Sequence, residues 1–289
     1  MVSEIPSVKD CLLKLVKQCL QQFYTHPQIR QQQIELCLLR GQFPITYQSA
    51  IALPLATQFN QPAITIATRI VTQIQSESTE SFLCPNSLRL GDEQPNFTSQ
   101  AMPSGMIILE LTDVGLANWL HCIANISAVP GENLPQFDFP NDLFDIQYSH
   151  ARCCSLLRRA HREGIITLTS LPSGVTQPPW QWYAPNPLPW LSPTRRLQLI
   201  HAAEHLLIAQ LIKTVDAYSI TSSAPDWTQL AEDLSQKFQQ FYRCCQIWGI
   251  VKQQTPQLAQ ARLGLVWITQ KLLQSILQEQ LHIIAPFEL

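Results

Sequence analysis

Charge is scarce in this chain. Only 14% of its 289 residues are Asp, Glu, Lys or Arg, and the formal net charge is −2. That is far from the strongly basic balance that makes nucleic-acid binding evident from charge alone. Glycine is scarce too, with nine residues in all, so there is little from which to build a Gly-rich phosphate loop, and none occurs. No apolar stretch approaches the roughly 18–20 residues of a membrane span. The basic-then-apolar pattern of a signal peptide is missing because Lys9, Lys14 and Lys17 interrupt the first helical stretch, and no leader is expected. The nine cysteines are an odd number at irregular positions, and Cys153-Cys154 and Cys244-Cys245 are adjacent pairs rather than C-x-x-C spacings. All nine are expected as reduced thiols of a cytosolic protein, most of them buried as small hydrophobes. No metal site and no cofactor are expected, and no Ser/His/Asp or Cys/His nucleophile arrangement follows from spacing.

What is present is ordinary globular material. Apolar residues make up 46% of the chain, and its length suits two domains of about 100–150 residues each. The charge divides unevenly. Residues 1–140 hold 7 Lys and Arg against 11 Asp and Glu, a net −4, while residues 141–289 hold 12 against 10, a net +2. The second part is the better partner for a polyanion.

Ser7 is positioned to cap a helix running to about Tyr24, with Asp10 three residues on. Residues 34–39 read as a strand, 49–58 and 62–75 as helices, 76–105 as a loop or short hairpin, 106–111 as a strand and 113–123 as a helix. Residues 125–142, with Pro130, Gly131, Pro135 and Pro140, read as a linker. Beyond it the period is helical over 143–163, 193–219, 226–248 and 256–281. A Pro/Trp-rich stretch, 171–190, cannot be a helix.

Four segments in this second part resemble arginyl-tRNA synthetases. Gln147-Tyr148-Ser149-His150-Ala151-Arg152 is similar to the family's Q-Y-A-H-A-R segment. Phe238-Gln-Gln-Phe-Tyr-Arg-Cys-Cys-Gln-Ile247 is similar to F-x-x-F-Y-x-x-C, and Ala261-Arg262-Leu263-Gly-Leu-Val266 to the A-R-L-x-L-V helix of the DALR anticodon-binding domain. The chain ends Ile284-Ala-Pro-Phe-Glu-Leu289, similar to I-x-A-P-E-x-M. A weaker likeness, through Thr46-Tyr47-Gln48-Ser49-Ala50 and Ser104-Gly105-Met106-Ile107-Ile108, connects the first part to the family's N-terminal additional domain, with polar positions lost. The resemblance implies a small α+β N-terminal domain over 1–124, the linker, and an all-α helical bundle of DALR anticodon-binding type over 143–289. It further implies that the catalytic domain is missing, since no H-I-G-H-like or K-M-S-K-S-like segment occurs. Aminoacylation by this chain alone is therefore not expected.

Tyr148 and Arg152 lie four apart and share a helix face. With Arg158 and Arg159 behind them, they suit stacking on an unpaired base and contacts to phosphate; the plainer reading packs Tyr148 on the bundle and leaves the arginines as a solvated face. An aromatic common in the family three residues before this Tyr is Asp145 here. Phe238, Phe241 and Cys245 fit a core stripe, leaving Tyr242 and Arg243 to point outward. Arg262, in an apolar helix, is read as tying helices together. His201-Ala-Ala-Glu-His205 has the H-x-x-E-H spacing of a zinc site, a pattern that arises easily by chance. Trp180, Trp182, Tyr183 and Trp190, on a proline-preset stretch, form an interaction loop for a protein partner or pack back on the body, the second being favoured.

The resulting reading is a non-catalytic paralogue that binds tRNA or another structured RNA through its helical domain. The alternatives are a protein-interaction or assembly factor that kept the fold, and a non-catalytic subunit of a split synthetase. Convergence of Arg152, Arg158, Arg159 and Tyr242 on one open surface favours RNA; internal pairing with Asp142, Asp145 or Glu163 favours the interaction factor.

Overall fold

Ser7 opens the first helix as its spacing predicts, its hydroxyl accepting the Asp10 amide at 3.0 Å. In the computed structural model, residues 7–23, 34–39, 41, 43–76, 95–126, 143–170, 180–219 and 224–289 are described. They form two compact units, one ending at Trp119 and the other beginning at Leu120.

The first unit contains α1 (Val8–Phe23), β1 (Cys37–Leu38), β2 (Thr46–Ser49), α2 (Ala52–Phe59), α3 (Ala63–Ser76), β3 (Phe97–Ala101) and β4 (Ile107–Leu111), and α4 (Asp113–Asn125) straddles the division. The strands form an antiparallel sheet in the order β1-β2-β4-β3. β4 alternates as a half-covered strand should, with Ile107, Leu109 and Leu111 buried. Two expectations fail here. The strand over 34–39 shrinks to Cys37–Leu38, and the helix expected from Ser49 begins only at Ala52. Thr46–Ser49 is instead an inner strand, Tyr47 pairing with Leu38 on one side and Leu109 on the other. Four residues are too few to display a period, and pairing with neighbours on both sides decides their state.

The second unit is built on α5 (Phe144–Arg162), α6 (Ala202–Tyr218), α7 (Trp227–Cys244), α8 (Ile250–Gln254) and α9 (Pro256–Ser275), which runs on into a π-helical turn, Ile276–Gln280. α9 is buried on nearly every side, as a helix apolar all round must be. Its Trp267 and Lys271 both donate to the Ala124 carbonyl near the end of α4, each at 2.9 Å. Burial pushes the Lys271 ammonium, which lies 4.6 Å from the centre of the Trp267 ring, down to about 7.

Three features depart from the helical expectation. A hairpin, β5 (Thr167–Ser170) with β6 (Trp180–Ala184), interrupts the helices. Residues 193–201 are not helical: Arg195 adopts φ +60, Leu191 bridges Leu197, and the Gln198 side chain satisfies the Pro189 carbonyl at 2.7 Å. α8 was not anticipated from the sequence. A correction also falls on the cysteines. Cys11, Cys19, Cys37, Cys153, Cys154, Cys244 and Cys245 are reduced thiols, whereas Cys122 is disulfide-bonded. Spacing in sequence does not determine which sulfur atoms a fold brings to bonding distance. The linker expected over 125–142, and residues 171–179 of the Pro/Trp-rich stretch, lie almost wholly outside the described residues.

Trp190, 1% exposed, lies against α9 where Gly264 leaves room for it. A Cβ at Gly264 would stand 2.4 Å from Trp190 Cη2. Gly→Ala within a helix ordinarily stabilises by about 1 kcal/mol. Gly264→Ala is expected to reverse that sign and cost about 1–3 kcal/mol through overpacking. Thermal unfolding of Gly264→Ala beside a Gly264→Ala/Trp190→Leu double variant checks it; a stability gain in the single variant would show that Trp190 is not the constraint.

Candidate nucleic-acid interface

α5 has one face turned inward and one outward, and the two do different work. On the inner face Gln147 and His150 are buried and hold the C-terminal segment. Gln147 Nε2 donates to the Ile284 carbonyl at 3.0 Å, and His150 Nδ1 lies 2.8 Å from the Pro286 carbonyl. A carbonyl only accepts, so the His150 proton sits on Nδ1 and Nε2 accepts from the Gln270 amide at 3.0 Å. Arg158 completes the joint, donating to the Phe287 carbonyl at 3.2 Å and pairing with Glu288 at 2.7 Å. Burial lowers the His150 imidazole to about 4. The Q-Y-S-H-A-R and I-A-P-F-E-L segments, far apart in sequence, are thus one physical joint.

The outer face carries Phe144, Tyr148 and Arg152 at four-residue intervals, one above the other on the helix. Phe144 is 55% exposed and Tyr148 44%. Arg152 reaches across to α7, where its guanidinium lies 4.8 Å from the centre of the Tyr242 ring and donates to the Tyr242 hydroxyl. Arg152 Nε is shielded from solvent and has no acceptor. Gln239 donates to the Ser149 hydroxyl at 3.2 Å, which sets α7 beside α5. Phe238, Phe241 and Cys245 lie inside, as the stripe predicts, and this leaves Tyr242 half-buried and Arg243 exposed. Among the described residues, Arg152, Arg162 and Arg243 have no ion pair.

The other two predicted arginines are occupied. Arg158 is committed to the C-terminal segment. Arg159 pairs with Glu163 at 2.7 Å and covers the Trp248 ring at 4.5 Å. Glu163 also pairs with Lys252 at 2.9 Å, and the hydrogen bonds from Arg159 and Lys252 hold its carboxyl below the usual range. The structure therefore joins Arg152 to Tyr242 and keeps Tyr148 in line with them, with Arg243 exposed beside Tyr242 in sequence. It diverts Arg158 and Arg159.

The remaining motifs have structural duties. His201 caps α6 by accepting from the Ala203 amide at 3.1 Å, Glu204 returns to the His201 amide at 2.8 Å, and His205 donates to the Leu199 carbonyl at 2.8 Å. Arg262 binds Glu204 at 2.6 Å, the helix tie its position predicts. Of the four aromatics of the Pro/Trp-rich stretch, Trp180 and Trp190 are buried, Trp182 is half-buried 6.0 Å from the Trp267 ring, and Tyr183 is 67% exposed. Among the described residues no group of His, Cys, Asp and Glu is placed to hold a metal ion, and no helix is long and apolar enough to cross a membrane.

The sequence reading missed Phe144, whose signal was its spacing of four from Tyr148. It also missed the roles of Gln147 and His150, for which sequence holds no signal.

Residues 192–286 match the DALR anticodon binding domain. The arginine–tRNA ligase of Gloeobacter violaceus (strain ATCC 29082 / PCC 7421) is 32% identical over 143 residues, 48% of this chain and 21% of the ligase. That of Synechococcus sp. (strain JA-3-3Ab) is 33% identical over 149 residues, 51% of this chain and 22% of the ligase. The matched stretch thus spans about a fifth of each relative. No solved structure matches significantly. Across its C-terminal region the chain is arginyl-tRNA synthetase-like, with a DALR anticodon-binding domain at residues 192–286.

Proposed function

We propose that this chain binds tRNA, or another structured RNA, through the outer faces of α5 and α7, and that it does not itself aminoacylate. The observation that carries this is the Arg152–Tyr242 pair in line with exposed Tyr148. A guanidinium with no carboxylate partner, held on an aromatic ring beside a half-exposed tyrosine, offers a phosphate contact and a stacking surface together. The match to an anticodon-binding domain and the ligase relatives support the same reading. No segment of the 289 residues resembles the ATP-handling signatures of a synthetase. The sheet and helices of the first unit are read as the counterpart of the N-terminal additional domain, in a protein of the cytosol.

The test is binding of purified protein to an arginine tRNA transcript and to total tRNA at about 50 and about 200 mM salt. Affinity is expected to fall with salt, and Tyr148→Ala and Arg152→Ala to weaken it by roughly 5- to 100-fold, the scale of one lost base stack. No binding at the lower salt would sink the reading.

A second reading, a protein-interaction or assembly factor, has its own support. Arg158 and Arg159 are consumed by Glu288 and Glu163, which leaves the face less basic than its sequence suggests. The same experiment separates the two.

A further inference from the structure

Two polar contacts join α5 to α7 with the same offset. Gln239 meets Ser149, and Tyr242 meets Arg152, each pair 90 residues apart. Equal offsets mean that the two helices run parallel and in step here, so that the rise of about 4.5 Å from one contact to the next is the same on both. The first contact is interior: Ser149 is fully buried, and its hydroxyl accepts from the amide of half-buried Gln239 at 3.2 Å. The second lies further out, with the Arg152 guanidinium 4.8 Å from the centre of the Tyr242 ring. On its other side the Tyr242 ring meets that of buried Phe238, 6.4 Å away and 19° from parallel.

We propose that Ser149 and Gln239 are positioning residues for the RNA contact: their hydrogen bond fixes the register of α7 on α5 and so holds the Arg152 guanidinium, anchored on Tyr242, where it meets a phosphate. This rests on the reading of the protein as an RNA binder and adds to it the pair that sets the geometry of that contact.

Apolar packing alone specifies that register weakly. Leu234, Phe238 and Phe241 of α7 are buried, and burial of apolar surface carries no direction. A slip of one residue moves a side chain about 1.5 Å along the helix and about 100° round it, enough to take Tyr242 away from Arg152. A hydrogen bond is directional. A serine hydroxyl within a helix ordinarily turns back to the carbonyl four residues earlier; that of Ser149 instead receives a donor from the neighbouring helix. The consequence is visible in Arg152. One of its donors is committed to the Tyr242 hydroxyl and its Nε is shielded from solvent, so the direction of the remaining N–H groups is set by where α7 places Tyr242.

The test uses the full chain with the arginine tRNA transcript and two variants, Ser149→Ala and Gln239→Met. In Ser149→Ala the better helix propensity of alanine offsets the lost neutral hydrogen bond, and in Gln239→Met a half-buried side chain keeps its length, so the midpoint of urea unfolding should barely move in either. Each is expected to weaken binding by roughly 5- to 10-fold, part of what a charged hydrogen bond contributes. Each should also lower the slope of log affinity against log salt by about 0.7, the share of one phosphate contact on a single strand. The combined variant should lose no more than either single. A readout free of RNA is the Arg152 Nε–H resonance, expected to be protected from exchange in the unsubstituted protein and broadened by exchange in both variants. If both variants keep full affinity and full salt slope, or weaken only in proportion to the folded protein they lose, the positioning role is overturned and RNA binding stands. If the unsubstituted protein binds no RNA at low salt, the RNA reading falls and this role falls with it.

Discussion

Arg262→Met is expected to destabilise the second unit by about 3–5 kcal/mol, the cost of stranding a buried charge. Glu204, on α6, is fully buried, and Arg262, on α9, is 11% exposed, with Nε 2.6 Å from the carboxylate. The guanidinium also donates to the Gln246 carbonyl, so a single side chain ties α9 to α6 and to the turn after α7. The other carboxylate oxygen of Glu204 is engaged in capping α6 at 2.8 Å from the His201 amide. Removing the arginine leaves that carboxylate with neutral donors only, the His201 amide and the Cys245 thiol. Glu204→Gln/Arg262→Met is expected to recover most of the loss, because the amide oxygen still serves the cap and no charge remains buried. Urea unfolding of the two singles and the double closes a mutant cycle. The exposed pair Arg159–Glu163 is the internal control, at about 0.3–0.5 kcal/mol. A loss below 1 kcal/mol for Arg262→Met would mean that water reaches Glu204.

This tie also shows what sequence can and cannot convey. Arg262 sits among Leu258, Leu265, Ile268 and Leu272, and an arginine on such a helix must find a partner or snorkel. That much is legible. Glu204 as the partner is not, because 58 residues separate the two. The same line runs through the rest of the fold. α1, α3, α4, α5, α7 and α9 were legible from period and capping, because their apolar positions recur often enough to fix a period. β2 was not, being four residues whose state is set by strands on both sides. Residues 193–201 read as helix because their apolar spacing is compatible with one, but the φ of Arg195 and the bonds of Gln198 are set by the packing of Trp190. In the candidate site, Tyr148 and Arg152 were legible together as neighbours on one face, whereas Arg159, read with the RNA-binding arginines, pairs with Glu163, which the sequence offered only as an alternative. The Arg152–Tyr242 contact spans 90 residues and was foreshadowed only by resemblance. Arg158 was placed with the RNA-binding arginines because nothing in its neighbourhood reveals Glu288.

The joint between α5 and the C-terminal segment carries the second large effect, which acid should expose. His150 is fully buried, and its imidazole is lowered from 6.5 to about 4 by loss of water, the Pro286 carbonyl pulling the other way. The folded chain therefore resists a proton that the unfolded chain accepts. The stability from a neutral His150 is complete above pH 6.5, is lost as pH falls towards 4, and changes no further below it. Over that window the lost stabilisation is about 3 kcal/mol, at 1.36 kcal/mol per pKa unit. His121, also lowered by burial, adds in the same direction. Cys154 stays a neutral thiol beside the ring, pushed up to about 12 by burial. Urea unfolding at pH 7.5, 5.5 and 4.5 should show the loss, and His150→Gln should flatten it whatever its own baseline stability. Because Gln147, His150 and Arg158 hold Ile284, Pro286 and Phe287 against the inner face of α5, the first structure to yield should be this segment. The protection factor of the Ile283 amide, which donates to the Leu277 carbonyl at 2.7 Å, should fall at pH 5 while the amides within α9 remain protected. An unchanged slope in His150→Gln would place the acid sensitivity elsewhere and leave the joint held by Arg158 and Gln147 alone.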